Sequence, residues 1–197
     1  MVGPPTHPAS DKSLVRKLLR RERREHHAAL PDAVRGLLFS QPPSPLKAVL
    51  ENAATVGLYV AVGAEAPALG YAKWLYERGV TLALPWFSTR ESAMTFVEWQ
   101  NPFDEEELIP GPLDIPQPAN LHGEIVPDLL IVPLLGFTAN GQRLGQGGGH
   151  YDRWLEAHPE TTAIGLAWDC QLRDALPVEA HDRPLAMIVT PTQVFCP

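Results

Sequence analysis

Polar and apolar positions change period several times along the chain. From Ser10 or Asp11 to about Leu30, Leu14, Leu18 and Leu19 fall at helical spacing, and so do Lys12, Arg16, Arg20, Arg23, Arg24 and His27. That pattern predicts one long helix with an apolar stripe and a basic stripe, capped by Ser10 or Asp11. Pro31 ends it, a second helix is expected from Asp32 to Phe39, and Gln41-Pro42-Pro43-Ser44-Pro45 reads as a loop. Beyond the loop, apolar runs predict strands at Thr55 to Val62, Val80 to Pro85, Ala93 to Trp99, Asp128 to Val132, Thr162 to Ala167 and Ala186 to Thr190. A helix from Pro67 to Arg78, stopped by Gly79, separates the first two. Strand–helix–strand alternation implies right-handed βαβ units and a mainly parallel sheet, hence a three-layer α/β domain. Gln100 to Asn120 is acidic and proline-rich, a surface segment with a short helix at Asp104 to Leu108. Met1 to Ala9 has little to pack and is expected as a disordered tail on a single domain over 10–197.

Composition excludes several classes. A formal charge of −7 argues against a general nucleic-acid binder. No apolar run is long enough to span a bilayer, and Pro4, Pro5 and Pro8 stand where a signal peptide would be apolar. Cys170 and Cys196 are too few for a zinc cluster or a disulfide scaffold. A cytoplasmic monomer with reduced thiols and a small-molecule substrate is the expectation.

The candidate chemistry sits at Arg143-Leu144-Gly145-Gln146-Gly147-Gly148-Gly149-His150-Tyr151-Asp152. Four glycines in five positions let backbone N–H groups turn toward one concavity that binds anions. Tyr151, Trp154 and Leu155 follow at helical spacing, so a helix N-terminus would add its positive end. Arg143 would supply a fixed charge. On the residues alone this is either a phosphate cradle or a flexible turn, since it is neither a Walker A loop nor a Rossmann turn. The basic stripe of the first helix is by the same standard a solvated face, and Glu65 a solvent-facing acid.

Arg-Leu-Gly-x-Gly-x-Gly followed by an aromatic position and Tyr-Asp-Arg, after a hydrophobic strand and Pro133, resembles the signature of the 5-formyltetrahydrofolate cyclo-ligase family. The likeness takes in Lys12 to Arg16, Gly57-Leu58-Tyr59, Glu65, Leu82 to Pro85, Leu108 to Pro112, Gly165 to Trp168, and Leu176-Pro177 through Leu185, covering the chain from about Asp11 onward. It implies the three-layer cyclo-ligase (NagB/RpiA/CoA transferase-like) fold. It also implies ATP- and Mg²⁺-dependent conversion of 5-formyltetrahydrofolate to 5,10-methenyltetrahydrofolate through a phosphorylated N5-formyl group. A diverged relative that binds folate or nucleotide without turnover is the alternative.

Carried over residue by residue, the resemblance places Lys12, Arg16, Arg143 and the loop from Leu144 to Tyr151 against ATP. It places Glu65 against the pterin 2-amino group and N3, with Trp86 and Met94 lining the ring pocket. Gly147, Gly148, Gly149 and Tyr151 also face the substrate, Tyr151 orienting the formyl group. A carboxylate beside bound phosphates repels them unless a cation intervenes, which makes Asp152 a Mg²⁺ ligand candidate. The family's second acid falls on Asp182. Three departures stand out: Gln146 and His150 replace residues more often aromatic or basic, and Ala66-Pro67-Ala68 replaces the usual residues after Glu65.

Overall fold

Five parallel strands carry the fold, and their order fixes where a ligand can bind. The computed structural model describes residues 8–119, 123–177, 179 and 183–197. The main sheet contains β1 (Thr55–Gly57), β2 (Thr81–Trp86), β3 (Thr95–Glu98), β6 (Leu129–Pro133), β9 (Thr162–Leu166), β10 (Met187–Val189) and β11 (Val194–Phe195), in the order β11-β10-β9-β6-β1-β2-β3. All neighbouring pairs are parallel except β2–β3 and β10–β11, which close the two edges with antiparallel partners. The chain moves outward from β1 to β2, then returns to the other side of β1 to lay down β6, β9 and β10. Such a reversal opens a crevice at the carboxyl ends of β1 and β6.

Leu129, Leu130, Ile131 and Val132 are at most 2% exposed, as expected of a parallel strand covered on both faces. On one face α3 (Ser44–Leu50) and α4 (Leu69–Tyr76) pack Leu46, Leu50, Tyr71 and Leu75 against Leu82, Leu84 and Trp168. On the other, α5 (His150–Ala157) packs Trp154 and Leu155 against Ala83, Phe96 and Val132. The three layers and the mainly parallel sheet agree with the sequence expectation. Each of the six expected strands is present, the first stopping at Gly57 instead of Val62. Two small hairpins were not foreseen, β4 (Leu108–Pro110) with β5 (Pro116–Pro118), and β7 (Gly136–Phe137) with β8 (Arg143–Leu144). At the expected short helix, Asp104 caps a single 3₁₀ turn by accepting from Glu106 N at 2.9 Å.

Helical expectations need three corrections. The long helix α1 runs from Pro8 to Ala29, so the expected tail is helical at Pro8 and Ala9, while residues 1–7 lie outside the described residues. The second helix, α2 (Asp32–Leu37), ends before Phe39, whose φ of 59° turns its ring into the core against Tyr71 and Trp168. The loop expected at Gln41 to Pro45 gives way to α3 at Ser44, because a proline in the first turn lacks only an N–H that no intrahelical carbonyl would have used.

The apolar stripe of α1 is also misplaced. Leu14 is 68% exposed and Leu18 43%, and Leu19 alone of the three is buried. Inside lie Lys12 and Arg23, each under 8% exposed. The helix lies across the crevice at the strand ends, so its inner face meets loop carbonyls and carboxylates and the basic stripe turns inward.

Candidate active site

At that crevice is a cavity of about 680 Å³. Its apolar part is formed by Tyr59, Pro85, Phe87, Met94, Ile115 and Pro133, and its opposite wall by α1 and the glycine loop. Lys12, Arg16, Glu65, Met94 and every residue from Arg143 to Asp152 line it. Residues far apart in sequence thus converge on one space.

The loop is shaped by its glycines. Gly147 has φ 106° and Gly149 φ 64°, both in the region that side chains disfavour. A Cβ on Gly148 would stand 2.7 Å from the His150 ring. Gly149 begins α5 with no side-chain cap, so among the described residues no side chain caps the first-turn N–H groups of the helix. Helix α1 grips the same loop through its carbonyls. Arg16 Nε donates to Gly145 O at 3.1 Å, and Arg20 donates to Gln146 O at 2.7 Å and to its Oε1 at 2.9 Å. Lys12 Nζ lies 3.1 Å from Glu179 Oε2.

Glu65 occupies the junction of the two halves. Its Oε2 accepts from Val62 N at 3.1 Å, while Oε1 accepts from Gln146 Nε2 at 3.4 Å and lies 3.7 Å from Arg23 Nη1. Burial pulls the Arg23 pKa below its ordinary value and Glu65 partly restores it. Burial pushes the Tyr151 phenol far above its usual range, Glu65 adding to the shift and Arg143 opposing it. The phenol therefore keeps its proton and can donate a hydrogen bond.

Asp152 is ion-paired with Arg143, whose Nη1 also donates to Arg183 O at 2.6 Å. Arg143 offsets the charge of this carboxylate, so repulsion of phosphate does not by itself require a cation at Asp152. Asp182, the second expected metal ligand, lies outside the described residues. Among the described residues no three His, Cys, Asp or Glu side chains gather as a metal site. Mg²⁺ bound mainly through phosphate oxygens and water needs only one or two carboxylates, and Asp152 beside the loop fits that role. Trp86 does not line the cavity. Side chains alternate along β2, so Pro85 and Phe87 share the cavity side and Trp86 turns from it. Sequence reading also left out Arg20, Arg23 and Tyr59. The steps 12, 16, 20, 23 lie on one helical face, and that spacing was the available signal for both arginines.

A profile of the 5-formyltetrahydrofolate cyclo-ligase family matches residues 8–191. The chain belongs to the 5-formyltetrahydrofolate cyclo-ligase family. Among its relatives, the 5-formyltetrahydrofolate cyclo-ligase of Mycolicibacterium smegmatis is 30% identical over 186 residues, covering 91% of this chain and 93% of that one. The Escherichia coli K12 cyclo-ligase is 44% identical over 97 residues, 46% of this chain and about half, 53%, of its own length. The solution structure of Aquifex aeolicus 5,10-methenyltetrahydrofolate synthetase superposes with a TM-score of 0.74 at 26% identity, covering 94% of this chain and 92% of that one. At the two loop positions singled out in the sequence, Gln146 ties Arg20 to Glu65, and the His150 ring packs edge-on against Phe87 with centroids 5.0 Å apart. The His150 Nδ1 lies 3.3 Å from Arg153 Nη2. No helix among the described residues is long and apolar enough to cross a membrane.

Proposed function

We propose that the protein converts 5-formyltetrahydrofolate to 5,10-methenyltetrahydrofolate with consumption of ATP and release of ADP and phosphate. The observation that carries this reading is one cavity in which the glycine loop, the inner face of α1, Glu65 and an apolar floor meet. A polyanion fits the first two and a flat heteroaromatic ring the last.

The carbonyl oxygen of an N5-formyl group is a poor leaving group, so the γ-phosphoryl is transferred to it and ADP departs. N10 then attacks the imidate carbon, phosphate leaves from that carbon, and the N10 proton is lost. Phosphoryl transfer asks for alignment and charge neutralisation more than for covalent help. Arg16 and Lys12 supply positive charge, the Gly147 to Gly149 N–H groups hold phosphate oxygens, and Arg143 fixes the start of the loop. Mg²⁺ bound with the nucleotide supplies further neutralisation of the phosphates, with Asp152 as the carboxylate that would hold it. Tyr151, kept protonated by its burial, donates to the formyl group and aligns it, and Glu65 accepts from the pterin 2-amino group and N3–H.

Methenyl-folate absorbance, followed with purified protein, ATP, Mg²⁺ and 5-formyltetrahydrofolate, tests the whole reading. Product should accumulate only when all three are present. No product at saturating concentrations, with folate or nucleotide still bound, would reassign the chain as a non-catalytic relative.

A further inference from the structure

Arg23 is 7% exposed although it carries a full charge, and it lines the cavity beside Glu65. Its Nη1 donates to Leu134 O at 3.3 Å and approaches Glu65 Oε1 only to 3.7 Å, beyond a direct hydrogen bond. Its Nε has no hydrogen-bond partner among the described residues, and none engages its Nη2. A guanidinium carries five N–H donors, and buried donors are ordinarily matched by acceptors. A ligand acceptor delivered next to Glu65 would complete the set.

We propose that Arg23 and Glu65 act together as a reader of the 2-amino-4-oxo edge of the pteridine, with Arg23 donating to the ring's 4-oxo oxygen. The proposal rests on the cyclo-ligase reading of the cavity and adds a specificity determinant to it. That edge presents donor, donor, acceptor in the order 2-amino, N3–H, O4. The protein presents acceptor, acceptor, donor in the order Glu65 Oε2, Glu65 Oε1, Arg23. The order follows from the two fixed points of the carboxylate: Oε2 is held by Val62 N, and Oε1 is turned toward Arg23. The ring orientation is thereby set, with its carbonyl toward α1. A 2,4-diamino ring places a donor where Arg23 also donates and leaves the guanidinium unmet. Sites built to bond one polar group reject analogues that lack it far more strongly than apolar pockets reject a methyl group.

The test measures dissociation constants by tryptophan fluorescence, without nucleotide, for a 2-amino-4-oxo pteridine and its 2,4-diamino counterpart. Wild type should favour the oxo ring by about a hundredfold or more. Arg23→Gln, whose amide can donate or accept, should narrow the preference by about tenfold, the remainder being set by N3, which donates to Glu65 in the oxo ring and meets it with a lone pair in the diamino ring. Arg23→Lys keeps a charged donor but loses the fork, so it should keep the preference and bind the oxo ring about tenfold more weakly. If Arg23→Gln fails to fold, Arg23→Lys decides. Unchanged oxo affinity in Arg23→Lys, unchanged selectivity in folded Arg23→Gln, or equal binding of both rings by wild type overturns the assignment. Wild type that binds neither ring removes the folate reading along with it, whereas tight oxo binding unaffected by either variant removes Arg23 alone.

Discussion

A methyl group placed on Gly148 would meet the His150 ring at 2.7 Å, and one on Gly147 would be held at φ 106°. The second substitution strains the loop by about 1–3 kcal/mol, and the first displaces His150 from Phe87. Gly147→Ala and Gly148→Ala should each lower kcat/KM by about tenfold or more while far-UV circular dichroism stays native. A normal KM for ATP in both would mean that the loop holds no phosphate. Asp152 tests two roles at once, since its carboxylate is paired with Arg143. Asp152→Asn should destabilise the fold by about 1.5–3 kcal/mol, the range for a hydrogen bond to a charged group, because it weakens the partner of a buried guanidinium. If Asp152 also holds Mg²⁺, the cation concentration for half-maximal rate rises in the same variant; an unmoved midpoint leaves it with the ion pair only. The residue types of this site were readable because glycine spacing and a following helix start are local signals. Trp86 and Phe87 were not, because which of two adjacent residues faces the cavity depends on where the pleat of β2 begins.

The helix α1 shows where sequence patterns mislead. Three leucines at helical spacing ordinarily mark the buried side, and here Leu14 and Leu18 are exposed while Lys12 and Arg23 are inside. The pattern rule assumes that a helix packs on apolar surface. This one sets Leu19 against Leu135, Leu144 and Leu176 but turns Arg16, Arg20 and Arg23 toward loop carbonyls and a carboxylate. Leu14→Ser and Leu18→Ser should therefore change stability by no more than about 0.5 kcal/mol, whereas Leu19→Ala should cost about 2–5 kcal/mol in a denaturant titration. Comparable losses at all three would restore the leucine stripe to the interior. Arg16→Ala removes a charged donor to Gly145 O. Its KM for ATP should rise about thirtyfold, equivalent to about 2 kcal/mol, with folate affinity nearly unchanged. α3 escaped notice for a different reason: proline breaks a helix from within but is well placed in its first turn, and composition does not say which.

Across the whole molecule, burial governs how stability varies with pH. The phenols of Tyr59, Tyr71 and Tyr151 are all pushed above their ordinary value of 10.0 by burial. Above that value the unfolded chain releases these protons while the folded chain keeps them, so stability is full below it and falls as pH rises through it. Each tyrosine should contribute a slope of about 1.4 kcal/mol per pH unit, measurable by urea denaturation between neutral and strongly alkaline pH. Tyr71→Phe should make that slope shallower by one such increment, and an unchanged slope would place Tyr71 in water in the folded state. The strand order at this scale was legible only as a class, because sequence alternation announces a parallel sheet but not which side of β1 receives β6.

The cavity wall also has a consequence for how a ligand arrives. Six cationic side chains against three acidic ones line a single crevice in a chain whose formal charge is −7. Distant anions are repelled by the molecule as a whole, and those approaching the crevice are drawn in over roughly 8 Å, the screening distance at physiological ionic strength. Encounter with the proposed nucleoside triphosphate would thus become directional, its rate set by the local field more than by the area of the opening. In stopped-flow binding the association rate constant for ATP should fall as salt rises, while the dissociation rate constant changes little.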